Sequence, residues 1–132
     1  MRKTMSLKLP SRTEVIVRRL LEGVEKVGDY RRIGEHGHTF EPISIEMIGP
    51  TVISVAQSYI EQGDIMWDPM VELFLGEDGI SPLTFEMSMP PTYQRAAEVR
   101  NGQLLILNDL WYRNLVVFLV EWFGNLEHQH DF

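Results

Sequence analysis

Cysteine is absent from the 132 residues. Its absence excludes disulfides, cysteine-ligated zinc, iron–sulfur clusters and thiol nucleophiles together. Long apolar runs are missing as well. The longest, LVVFLV from Leu115 to Val120, stops at Glu121, far short of the roughly 20 residues that cross a bilayer. The N-terminus, MRKTMSLKLPSR, begins with basic residues but carries no apolar core of the signal-peptide kind. A cytoplasmic location without membrane association is therefore expected. The patterns G-x-S-x-G, H-E-x-x-H, Walker A and G-x-G-x-x-G do not occur, so no cofactor is implied and a non-enzymatic protein is favoured.

Basic residues are scarce after the first quarter of the chain. Residues 1–32 hold nine of the twelve Lys and Arg with four acids, and the remaining hundred hold three basic and fifteen acidic groups. The overall charge of −7 argues against nucleic acid as a general partner, since phosphate neutralisation needs concentrated Lys and Arg. The asymmetry has two readings: a basic helix beside an acidic sheet, or a basic face for an anionic partner.

What is present describes one domain of ordinary globular composition, 44% hydrophobic and 23% charged. Residues 1–10 read as a tail with one or two residues available to a neighbouring strand, and residues 11–132 as a single α+β domain. Ser11 with Glu14 forms a capping-box pattern. Val15, Leu20, Leu21, Val24 and Val27 follow at helical spacing up to a stop at Gly28. Residues 29–39 read as a loop. Alternation then predicts a strand through Phe40, Ile43, Ile45 and Met47, and a second over Thr51–Gln62 with Ile53, Val55, Gln57 and Tyr59 on one side; a short helix at AQSYIEQ competes with it. Glu77-Asp78-Gly79 and Asn101-Gly102 are hairpin signals. Asn108 caps a last helix that is apolar around most of its girth. The expected architecture is an antiparallel sheet of about five strands with N-terminal and C-terminal helices packed on one face.

Three groups of side chains are candidate sites. Asp64, Asp68 and Glu72, in GDIMWDPMVELFL, would align as an acidic metal or acid–base face in a helix. Pro69 opposes a helix there, which favours a bend at Gly63-Asp64 and a tight turn at Asp68-Pro69. Two His-x-His pairs, His36/His38 and His128/His130, suit chelation because alternate residues of extended chain share a side. Arg12, Arg19, Lys26 and Arg32 could meet an anion. On the last helix, Val116, Val120 and Phe123 are apolar surface beyond what one core face needs, and form the expected interface of a homodimer.

The stretch G-D-I-M-x-D-P followed by an apolar strand resembles the G-D-L-M-x-D-P signature of small uncharacterised bacterial proteins of a domain-of-unknown-function family. Members are often associated with plasmids and other mobile elements. ISVAQSYIEQ ahead of the signature and W-x-x-N-L near the end (Trp122, Asn125, Leu126) are similar too, so the resemblance spans roughly residues 40–132. The related pattern has an acid after D-P where this chain has Met70, with Glu72 two further on. The resemblance implies a fold and a mobile-element setting but no activity, so it assigns no catalytic residue.

Overall fold

A computed structural model describes residues 8–132. Helix α1 (Ser11–Leu20) is followed by strands β1 (Tyr30–Ile33), β2 (Ile43–Gly49), β3 (Val52–Glu61), β4 (Asp64–Gly76), β5 (Gly79–Met87) and β6 (Thr92–Arg95). A separate hairpin, β7 (Ala97–Arg100) and β8 (Gln103–Ile106), leads into α2 (Asp109–His130). The six strands form one antiparallel meander in the order β1-β2-β3-β4-β5-β6, and β7-β8 make their own two-stranded sheet. The α+β expectation holds, with more strands than anticipated.

Short-range chemistry explains the turns. Asn101 and Gly102 both have positive φ, 54° and 74°, as a two-residue primed hairpin turn demands, and Arg100 pairs with Gln103 across it. Gly76 pairs with Gly79 around Glu77-Asp78. The Asn108 side chain accepts a hydrogen bond from the Trp111 amide at 3.0 Å, capping α2 as expected.

The first helix departs from expectation at both ends. Ser11 lies inside the helix and Pro10 is the N-cap without a side-chain bond, so the capping box does not form. Glu14 instead pairs with Arg18 at 3.3 Å. The helix stops at Leu20 rather than near Gly28, turning out through Gly23 with its positive φ of 83°, and Arg31 donates to the carbonyls of Arg19 (2.7 Å) and Leu20 (3.1 Å) at its end. A cation there complements the negative end of the helix dipole. Arg31 belongs to β1, a strand where a loop was expected; its residues pair from Tyr30↔Glu46 to Ile33↔Ile43. Ahead of α1, Leu9 is buried and its amide donates to the Ile80 carbonyl at 2.7 Å, so the end of the tail runs along β5.

Strand β4 also differs. The β3–β4 turn is Gln62-Gly63, both with positive φ, and Asp68-Pro69 is no turn at all. The strand continues through it for thirteen residues. The ladder shifts between Ala56↔Met70 and Ser58↔Trp67, so Gln57 alone faces two residues, Asp68 and Pro69. A bulge is where a strand tolerates proline, because no ladder bond is required of its missing N–H. Past the bulge Trp67 still meets Ser88, accepting from its amide at 3.0 Å and donating to its hydroxyl at 2.8 Å, whereas residues 59–61 and 64–66 ladder with each other alone, since β2 ends opposite Gln57 and β5 opposite Met70. The result is a two-stranded ribbon overhanging the sheet.

Alternation sorts the inner face. Ile43, Ile45, Met47, Ile53, Val55, Val71 and Leu73 are buried in one cluster with Val17 and Leu20 of α1 and Leu115, Leu119, Phe123 and Leu126 of α2. Phe123 is 0% exposed, so it packs inside the chain rather than on a surface. Phe123→Ala should cost about 3–5 kcal/mol of stability, measured by urea unfolding with no dependence of the loss on protein concentration.

Candidate functional site

Polar groups converge where the loop between β1 and β2, the β3–β4 bulge and the end of α2 meet. Gln57, 7% exposed, is at the centre. Its Nε2 donates to the Glu41 carbonyl (3.0 Å) and to Gln129 Oε1 (3.1 Å), and its Oε1 accepts from Trp122 Nε1 (3.0 Å). A single buried amide thus ties a strand, a loop and a helix together, and each bond is needed because a buried polar group left unpaired is costly. The Glu41 carbonyl also accepts from His130 Nε2 at 3.0 Å. A carbonyl only accepts, so that imidazole carries its proton on Nε2.

The Glu41 side chain hydrogen-bonds the carboxyl of Asp68. Burial first, then that hydrogen bond and the charge of Asp68, push the Glu41 carboxyl up to about 7. Tyr59, next on the same face of β3, has its phenol pushed up by burial and by the charges of Glu61, Asp68 and Glu41. On the loop, Arg32 donates to His36 Nδ1 at 2.8 Å. A guanidinium offers no acceptor, so His36 Nε2 holds the hydrogen and donates to Ser58 Oγ at 3.0 Å. An open cavity of about 530 Å³ lies against this corner, lined by Gly34, Glu35, His38, Thr39, Phe40 and His130.

The residues proposed from sequence are distributed differently. Asp64 is exposed in the overhanging ribbon, and Asp68 turns to Glu41. Glu72 sits opposite Ser54 and Thr84 in the outer row of the sheet. In an unbroken strand the three would share a face; the extra residue at the bulge inverts the parity between Asp68 and Glu72. His36 and His130 do reach the same corner, and His38 lines the cavity with His130, but each is committed differently. His128 and His130 lie within α2, where positions two apart point to nearly opposite sides. Among the described residues, no three His, Asp or Glu are placed to hold a metal ion. Arg19 pairs with Glu127 at 2.9 Å and Arg32 with His36, whereas Arg12 and Lys26 are exposed. Because α1 ends at Leu20, Lys26 does not continue its face. Glu41 carried no sequence signal, as its partners lie in β3, β4 and α2.

The fold and this corner define an α+β domain built on an antiparallel meander, with a carboxyl pair at one end of the sheet. The chain belongs to the family of the domain of unknown function DUF6908, whose model matches residues 14–132. No curated protein and no solved structure matches it. Among the described residues, no helix is long and apolar enough to cross a membrane.

Two outcomes test the corner. Gln57→Leu should lose about 1–3 kcal/mol in denaturant unfolding, because it strands the Trp122 N–H. For Glu41 the folded-state value lies above the ordinary 4.5, so the folded chain binds the proton more tightly. Its contribution is complete below about 4.5 and is lost as pH rises to about 7. Glu41→Gln should remove that slope and melt roughly 2–5 °C above the unsubstituted chain at pH 8, read by thermal denaturation across pH 4–8.

Proposed function

We propose that this chain is a cytoplasmic, non-enzymatic binding or accessory protein that works as a homodimer through the outer face of α2. The observation that carries this reading is that face itself. Leu110 and Val117 are 66% and 70% exposed, and Val120, with Leu107 at the entry to the helix, is exposed beside them. These residues add nothing to the core, which the opposite side of α2 already fills. Clustered apolar surface of this kind marks an interaction site. Of the residues first expected there, Val120 remains in the proposed interface, Val116 is half-buried at its margin and Phe123 lies in the core.

A second copy suits this face because the face is complementary to itself. A two-fold axis through Val117, with the helices antiparallel, brings Arg113 level with Glu121 of the second copy. The two residues lie four before and four after Val117, both exposed. Opposite charges then meet twice about an apolar centre, as an isologous interface requires. The plasmid and mobile-element setting implied by the G-D-I-M-x-D-P resemblance belongs to the same proposal, and the genes flanking those that encode relatives are the check on it.

Light scattering coupled to size exclusion should give twice the 15.3 kDa chain mass at tens of micromolar. Val117→Glu should give the single-chain mass with unchanged circular dichroism. A monomer at that concentration in the unsubstituted protein would overturn the dimer.

A further inference from the structure

Gly124 is the single glycine of α2 and lies well inside the helix, in helical conformation. A glycine there weakens a helix, because its backbone gives up more freedom on folding than that of any other residue. Such a residue is kept where φ must be positive or where another group comes too close for a Cβ. Neither reason operates within the chain. A Cβ built on Gly124 would meet nothing within 4 Å beyond its own neighbours in the helix. Among the described residues, then, none requires a glycine at this place.

Its position on the helix is informative. Residues seven apart lie about two turns along and nearly on one side, so Leu110, Val117 and Gly124 form one line down the outer face of α2. Among the described residues Val117 and Leu110 are the most exposed of the large apolar side chains. The line runs from one projecting side chain through a second to a place with none.

We propose that Gly124 is the seat for Leu110 of a second copy, in an antiparallel α2 pair with its two-fold axis at Val117. This inference rests on the dimer proposed above and fixes its register. Antiparallel pairing about residue 117 sets each position level with the one equally far on the other side. Leu110, seven before the axis, then meets Gly124, seven after it, and the match occurs twice. The leucine packs on bare backbone, which lets the helices approach more closely than two facing side chains would. Arg113 and Glu121 flank the same line, both exposed, so each guanidinium faces a carboxylate of the other copy. A parallel pair would set Leu110 on Leu110, Gly124 on Gly124 and Arg113 against Arg113, which wastes the gap and opposes like charges.

The chain has no cysteine, so cross-linking can read the register. Val117→Cys should form a disulfide-linked dimer under mild oxidation, because both copies of position 117 meet on the axis. Leu110→Cys and Gly124→Cys should each stay unlinked alone, since fourteen residues of helix hold either position about 21 Å from its own counterpart, beyond the roughly 7 Å that a disulfide spans. Mixed, the two variants should link to each other. Gly124→Leu should weaken dimerisation at least about tenfold in sedimentation equilibrium, with circular dichroism unchanged. Adding Leu110→Ala should recover most of that loss, because the large and small partners have exchanged places. A dimer that links Leu110→Cys to itself, fails to link Val117→Cys, or keeps its affinity with Gly124→Leu overturns this register and leaves the dimer standing. A single-chain mass for the unsubstituted protein overturns both.

Discussion

The side-chain amide of Gln57 is the fixed point from which the rest of the corner can be derived. It donates to the loop and to the far end of α2, and accepts from the Trp122 indole. Those bonds are possible because the β3–β4 ladder slips there, leaving one residue of β3 against two of β4. The slip seats Pro69, aims Asp68 at the loop and sends Glu72 to the opposite face. A proline in the middle of a long strand, a carboxyl pair and a helix pinned at its C-terminal end are thus consequences of one irregularity in register.

Charge is used sparingly around this frame. Arg31 of β1 donates to the last carbonyls of α1, so a strand residue complements the negative end of a helix. The exposed ion pair between Arg19 and Glu127 links α1 to α2 but is of the kind that contributes little in water. The basic first quarter of the chain is therefore partly spent inside the molecule.

What could be read from sequence follows the range of the interactions involved. The Asn101-Gly102 and Glu77–Gly79 turns and the Asn108 cap depend on a few adjacent residues, and each was legible. So was the inward set Ile43, Ile45, Ile53, Val55, Val71 and Leu73, because alternation survives without knowledge of partners. The end of α1 was misplaced at Gly28, since two glycines with positive φ follow the helix and the earlier one, Gly23, ends it. Strand β1 was not legible, as its four residues YRRI show little alternation and pair only because β2 lies beside them. The Asp68-Pro69 pair looked like a turn on local grounds and is a bulge because Gln57 opposes it. Glu41 had no local pattern to announce it, as its significance comes from groups contributed by three other elements.

The overhanging ribbon has an implication for how this family can vary. From Tyr59 to Met66 the two arms of the β3–β4 hairpin pair only with each other, and their turn at Gln62-Gly63 is exposed. Adding or deleting a cross-strand pair there would lengthen or shorten the projection by one rung. No buried residue would move, and the register at the bulge would be preserved. Relatives of very different hairpin length could thus share an identical core. The same tip would accept a fluorophore or an affinity tag without disturbing the fold.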